Sequence, residues 1–194
     1  NLTAVQVPDG SGNLVVTPWW YRSEFVLGAR TPGQRTRVRT NGVIAAADLW
    51  VNGHLVADRS AINGAYPVNE FDVTPWVHAG RNVIALRVHP ADPRQSLSIG
   101  WVDWNPTPPD NNMGPWRGVD IVQSGPVALG DPQVETALSD DHARAALTVR
   151  VEARNLDTVA HEVVVSGRAA DVPLARTVTL APGQVQEVIF APED

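Results

Sequence analysis

The sequence predicts an all-β protein built from two consecutive β-sandwiches. Three observations carry this. Short segments alternating apolar and polar residues recur along the chain, and sustained helical periodicity is poor. Gly, Pro, Asn and Asp separate those segments at short intervals. The aromatic residues are unevenly spread: all seven Trp precede residue 117, and Phe190 is the one aromatic residue beyond it. That asymmetry predicts an aromatic-rich domain over 1–126 and a second domain of different kind over 127–194.

Composition narrows the function classes. A hydrophobic fraction of 43% with 19% charged residues supports a packed core rather than a disordered chain. With no cysteine, disulfides and thiolate metal sites are excluded. The five His show no metal-ligand spacing, and no Gly-rich phosphate loop is present, so neither a metal nor a cofactor is expected. All fifteen cationic residues are Arg, yet the net charge is −6 with no basic run; nucleic acid is not an expected partner. The longest apolar runs are far too short to span a bilayer, so no membrane partner is expected either. Asn1-Leu2-Thr3 is a formal glycosylation sequon, a weak signal by frequency.

The elements follow in order. Trp19 to Leu27 sets Trp19, Tyr21, Ser23, Phe25 and Leu27 on one face and Trp20, Arg22, Glu24 and Val26 on the other. Glu24 and Arg22 are expected to serve an ion pair with a neighbouring strand. Arg35 to Thr40 reads as a strand with its Arg and Thr toward water. Ala47–Val51 and Leu55–Asp58 are joined by Asn52-Gly53, which favours a type I′ turn because both residues accept positive φ. Asn69 to Trp76 reads as a short strand running into a turn at Pro75, with Glu70 and Asp72 capping it. Val83–Val88 is a strand with Ile84, Leu86 and Val88 inward; Leu97–Trp101 and Val119–Val122 are two more. Gly125-Pro126 to Asp131-Pro132 reads as the domain junction. Beyond it, Gln133–Leu138, Ala145–Arg154, Glu162–Arg168, Arg176–Leu180 and Gln184–Phe190 alternate cleanly, with Ala181-Pro182-Gly183 as a hairpin loop. This is an immunoglobulin-like pattern, about five strands where such a sandwich has roughly seven.

The segment from Asp103 to Pro115 cannot be regular structure, because it holds Pro106, Pro108, Pro109 and Pro115. Asp103, Trp104, Asn105, Asp110, Asn111 and Asn112 within it are the candidate substrate-binding residues. Indole faces stack on the apolar C–H faces of sugars, and Asp and Asn side chains hydrogen-bond hydroxyls. Proline leaves such a loop little entropy to lose on binding. Trp116 is expected to be a core plug at the end of the sandwich. Two carboxylates at glycosidase spacing could come from Asp103 and Asp110, but nothing marks either as a raised-pKa acid, so no residue of this chain is assigned a catalytic role.

Trp19-Trp20-Tyr21-Arg22-Ser23-Glu24-Phe25, Leu49-Trp50-Val51-Asn52-Gly53, Asn69-Glu70-Phe71-Asp72-Val73-Thr74 and Gly80-Arg81-Asn82 together resemble the N-terminal jelly-roll, galactose-binding-like domain of glycoside hydrolase family 2. Residues 133–194 resemble the start of the immunoglobulin-like domain that follows it. The stretch from Asp103 to Gly114 looks most like the exo-β-D-glucosaminidase branch. The β-mannosidases carry a related Trp-Asp-Trp-Gly loop, and here Val102 intervenes between Trp101 and Asp103. The resemblance implies an accessory piece, cut inside both domains, whose partners are a downstream catalytic barrel of the same polypeptide and a carbohydrate substrate. It also implies secretion, and a sugar-contacting role for Asp103 and Trp104. A β-mannosidase piece, a stand-alone carbohydrate-binding module and an adhesin-like sandwich pair stay open as alternatives.

Overall fold

Antiparallel pairing accounts for the alternation. The computed structural model describes residues 18–91 and 113–192, together with the backbone of Val7–Pro8 and Leu14–Val15. Among the described residues no helix is long and apolar enough to cross a membrane. The expected strand Leu97–Trp101 lies outside them. The chain divides into two compact units, Asn1–Pro32 with Thr36–Gln123, and Gly33–Arg35 with Ser124–Asp194.

The first unit holds, in chain order, β1 (Val7–Pro8), β2 (Leu14–Val15), β3 (Trp19–Leu27), β4 (Arg35–Thr40), β5 (Val43–Ile44), β6 (Ala46–Val51), β7 (His54–Ala57), β8 (Asn69–Asp72), β9 (Gly80–His89), β10 (Gly114–Pro115) and β11 (Val119–Ser124). One sheet runs β3-β9-β6-β7 and a second β11-β4-β8; β1 pairs with β2 and β5 with β10. The register Trp19↔Val88 to Leu27↔Gly80 aligns the long strands β3 and β9 end to end. Alternation then sends Trp19, Tyr21 and Phe25 inward with Leu49, Val51, Ile84, Leu86 and Val88, against Val38, Phe71, Val119 and Ile121 of the other sheet. This is a jelly-roll β-sandwich.

Two asparagines explain why Val-Asn-Gly and Gly-Arg-Asn occur together. Asn52 (φ 48°) and Gly53 (φ 84°) form the expected turn. The Asn52 amide donates to the Trp76 carbonyl (2.7 Å) and to Asn82 Oδ1 (2.8 Å), and its Oδ1 accepts from the Val83 amide (2.8 Å). Asn82 is fully buried. Its amide donates to the His78 and Gly80 carbonyls, and its Oδ1 also accepts from the His78 amide. The two turns are thus one hydrogen-bonded unit.

Strand β4 departs from expectation. Thr36, Arg37 and Thr40 are buried rather than facing water. Thr36, Val38 and Thr40 share the inward side of the strand, where Thr74 Oγ1 accepts from the Thr36 amide (2.9 Å) and satisfies it. Arg37 lies on the other side, held by Glu70 (3.0 Å). Glu70 therefore pairs with a guanidinium instead of capping the turn; Asp72 does cap it, accepting from the Thr74 amide (2.8 Å). Arg22 pairs with Glu24 on its own strand (2.8 Å), and Arg81 of neighbouring β9 completes the cluster (3.1 Å).

The second unit contains β12 (Val127–Leu129), β13 (Gln133–Leu138), β14 (Ala145–Asn155), β15 (His161–Ala169), β16 (Val172–Leu180) and β17 (Val185–Phe190). β14 pairs with β12 and β13, and also with β17, while β15 and β16 form a second sheet. Val151, Ala153, Val188 and Phe190 from one sheet meet Val165, Val178 and Leu180 from the other in a single core. The segment read as the domain junction contains β12, because Val127–Leu129 finds ladder partners in Asn155–Ala153. One expectation is corrected. Ala181-Pro182-Gly183 is not a hairpin loop: β16 pairs with β15 and β17 with β14, so the turn passes from one sheet to the other. Asn155, buried, consolidates that crossing by donating to the carbonyls of Val159, Leu180 and Ala181.

Candidate functional site

Asp103, Trp104, Asn105, Asp110, Asn111 and Asn112 all lie outside the described residues. What the structure describes is the base from which their segment departs and to which it returns. The outgoing end is β9, whose last residues lead through Pro90 to Ala91. The returning end is Met113 followed by β10.

Both ends rest on the same short stretch. Ala91 packs against a small buried cluster of Ile44, Ala45 and Ala65. Gly114 and Pro115 pair with Ile44 and Val43. The stretch is itself pinned: the Gly64 amide donates to the Ala45 carbonyl (2.8 Å) and the Ala47 amide to the Ile62 carbonyl (3.0 Å). Met113 is buried in the main core, and the Tyr21 hydroxyl donates to its carbonyl (2.7 Å) across 92 positions of sequence. Gly114 adopts φ 127°, where a side chain is strained, and an added Cβ would fall on the Tyr21 ring and hydroxyl. Glycine is therefore needed here for two independent reasons.

Two more contacts flank the base. His89 Nε2 lies 2.9 Å from Asp48 Oδ2, both side chains largely covered, and Asp48 Oδ1 accepts from the Arg59 amide (2.9 Å). This ties the last residue of β9 to β6 and to the turn after β7. Trp116, expected as a core plug, is instead 39% exposed. Its indole N–H donates to the Ala65 carbonyl (2.6 Å), Tyr66 meets its ring edge-on at 5.7 Å, and the Arg117 guanidinium sits 4.3 Å from its ring centre. A polar indole edge that must reach a carbonyl at the rim keeps the ring from burying fully.

Among the described residues no group of three or more His, Asp or Glu could hold a metal ion. The carboxylates with displaced pKa values are structural. The Arg22 hydrogen bond, with Arg81 beside it, holds Glu24 below the usual carboxylate range. The Ser60 hydroxyl does the same for Asp58, the Ser139 hydroxyl for Asp141 and the Thr158 amide for Asp157. Sequence reasoning missed Tyr21, Asp48, Ala65 and His89 as parts of the base. Only the alternation of β3, which turns Tyr21 inward, hinted at one of them.

Comparison with known proteins agrees with this architecture. Residues 13–97 match the family model described as the glycosyl hydrolase 2 galactose-binding domain-like domain. The exo-β-D-glucosaminidase of Amycolatopsis orientalis is 42% identical over 173 residues, covering 89% of this chain and 17% of that protein. The exo-β-D-glucosaminidase of Hypocrea virens is 39% identical over 180 residues, covering 89% of this chain and 20% of that protein. The crystal structure of the Amycolatopsis orientalis exo-chitosanase CsxA superposes with a TM-score of 0.85 at 40% identity, over 90% of this chain and 20% of that one. The chain thus spans about a fifth of the length of these relatives. Architecture, motifs and relatives converge, and the chain belongs to glycoside hydrolase family 2.

Proposed function

We propose that this chain is the non-catalytic accessory portion of an exo-β-D-glucosaminidase that hydrolyses chitosan oligosaccharides. It supports a catalytic barrel elsewhere in the polypeptide and lends the Asp103–Asn112 segment to the rim of the substrate pocket. The observation that carries the reading is the shared base: both ends of the segment are anchored on Val43–Ala45, with Tyr21 and Ala65 closing it. A recognition arm needs that rigidity, because a small misplacement of a contacting group costs much of its effect.

The chemistry of the arm suits an amino sugar. Asp103 or Asp110 accepts a charge-assisted hydrogen bond from the substrate ammonium, and Asn105, Asn111 and Asn112 hydrogen-bond its hydroxyls. Trp104 supplies an apolar face. Hydrolysis with retention needs two carboxylates about 5–5.5 Å apart, one acting as nucleophile and one as acid and base. In this proposal both belong to the barrel, and residues of the present chain bind and orient only. The proposal extends to a secreted enzyme, since a polymeric substrate is met outside the cell.

In the full-length enzyme, Asp103→Ala is expected to raise KM for chitosan oligomers at least tenfold, with little change in kcat. An unchanged kcat/KM on chitosan would remove the arm from the reaction. The 194-residue chain alone is expected to show no hydrolysis of an aryl β-glucosaminide.

A further inference from the structure

The outward face of the β3-β9-β6-β7 sheet carries a further feature. Trp20 on β3 and Trp50 on β6 both point away from the core, with Trp20 53% exposed. Their ring centroids are 6.4 Å apart and their planes tilted by 52°. Between and beside them is a depression of about 200 Å³ lined by Trp20, Trp50, Asn52, Gly53, Val83 and Ala85. The registers explain it. Ala85 lies opposite Trp50 on β6 and opposite Arg22 on β3, two residues from Trp20, so a small residue forms the floor beside the two indoles.

We propose that this trough is a second carbohydrate-binding surface, which holds an uncharged β-linked sugar such as N-acetylglucosamine by stacking, in preference to cationic glucosamine. A β-linked pyranose with equatorial substituents presents axial C–H groups on both faces, so a bent pair of indoles can follow it. Hydrogen bonding contributes little to the floor, because the Asn52 side chain is fully engaged with Trp76, Asn82 and Val83. The surrounding charge sets the preference. On the same face of the sheet, Arg87 lies in register between Trp20 and Asp48, Arg22 and Arg81 share Glu24, and Asp48 is engaged by His89 and the Arg59 amide. Among the described residues, this face therefore presents guanidinium donors to an acetamide carbonyl, and its carboxylates Glu24 and Asp48 are already paired, which leaves little for an ammonium. This differs from the acid- and amide-rich Asp103–Asn112 segment, which suits the ammonium.

The test is titration of the 194-residue chain, followed by tryptophan fluorescence and calorimetry, with N-acetylglucosamine hexamer and with glucosamine hexamer in mildly acidic buffer. Saturable binding of the N-acetylated hexamer is expected, at least fivefold tighter than the glucosamine hexamer. Trp20→Ala is expected to weaken it at least tenfold. Ala85→Arg, which fills the floor without touching the core, is expected to abolish it and keeps the test independent of any folding defect at Trp50. Absence of binding, equal binding by both variants and the parent chain, or a preference for the glucosamine hexamer would each overturn the proposal. So would concentration-dependent self-association that Trp20→Ala abolishes in a chain that binds neither sugar.

Discussion

The Tyr21 hydroxyl links the outermost long strand of one sheet to Met113, the residue that directly follows the Asp103–Asn112 segment. Tyr21→Phe leaves the Met113 carbonyl without that donor while preserving the ring's packing. The expected cost is about 1 kcal/mol, read as a fall in melting temperature of roughly 2–4 °C. Gly114→Ala is expected to cost more, on the order of 2–3 kcal/mol, because it adds backbone strain to a clash with the same tyrosine. A Gly114→Ala chain that melts with the parent would show that the base yields easily. Asn82 is a fully buried polar side chain bonded to His78, Gly80 and Asn52. Asn82→Leu keeps the branched shape but is larger and strands those partners, so a loss on the order of 3 kcal/mol or more is expected in denaturant titration.

At the scale of elements, most strands were legible in the sequence because alternation is a local signal. Trp19–Leu27, the Asn52-Gly53 hairpin and the inward set Ile84, Leu86 and Val88 follow from period-two patterning and turn chemistry alone. Strand β4 was misread for a physical reason. Its inward threonines hide among core residues because Thr74 satisfies the backbone beside them, and Arg37 is covered because Glu70 pays for its burial. Both partners lie far along the chain. The crossing at Ala181-Pro182-Gly183 was equally invisible, since Pro-Gly chemistry specifies a reversal and says nothing about which sheet receives the next strand. Strand β13 is exposed along its whole length, Val134 and Leu138 included. Val134→Thr on that strand is therefore expected to change stability by no more than about 0.5 kcal/mol, checked by thermal melting.

For the molecule as a whole, acid response follows from its structural carboxylates. Glu24, Asp58, Asp141 and Asp157 are held below the ordinary 4.5 for Glu and 3.8 for Asp. Their folded values lie under their unfolded ones, so the unfolded chain binds more protons in between. Their contribution is complete above the ordinary carboxylate range and is lost as pH falls through the depressed values. Melting temperature is expected to hold steady down to about pH 5 and then decline, less steeply in high salt because these groups are exposed. A melting temperature that rises on acidification would contradict the assignment. The candidate site was legible only in part. Its chemistry, Asp and Asn between prolines, is local and readable, whereas its foundation joins Tyr21, Val43–Ala45, Ala65 and Met113 through contacts that no local pattern records.

The common foothold has a practical consequence. Because departure and return share one platform, a change within residues 92–112 is expected to leave that platform's own contacts in place. A chimera carrying a relative's residues between Ala91 and Met113 should then fold as readily as its parent.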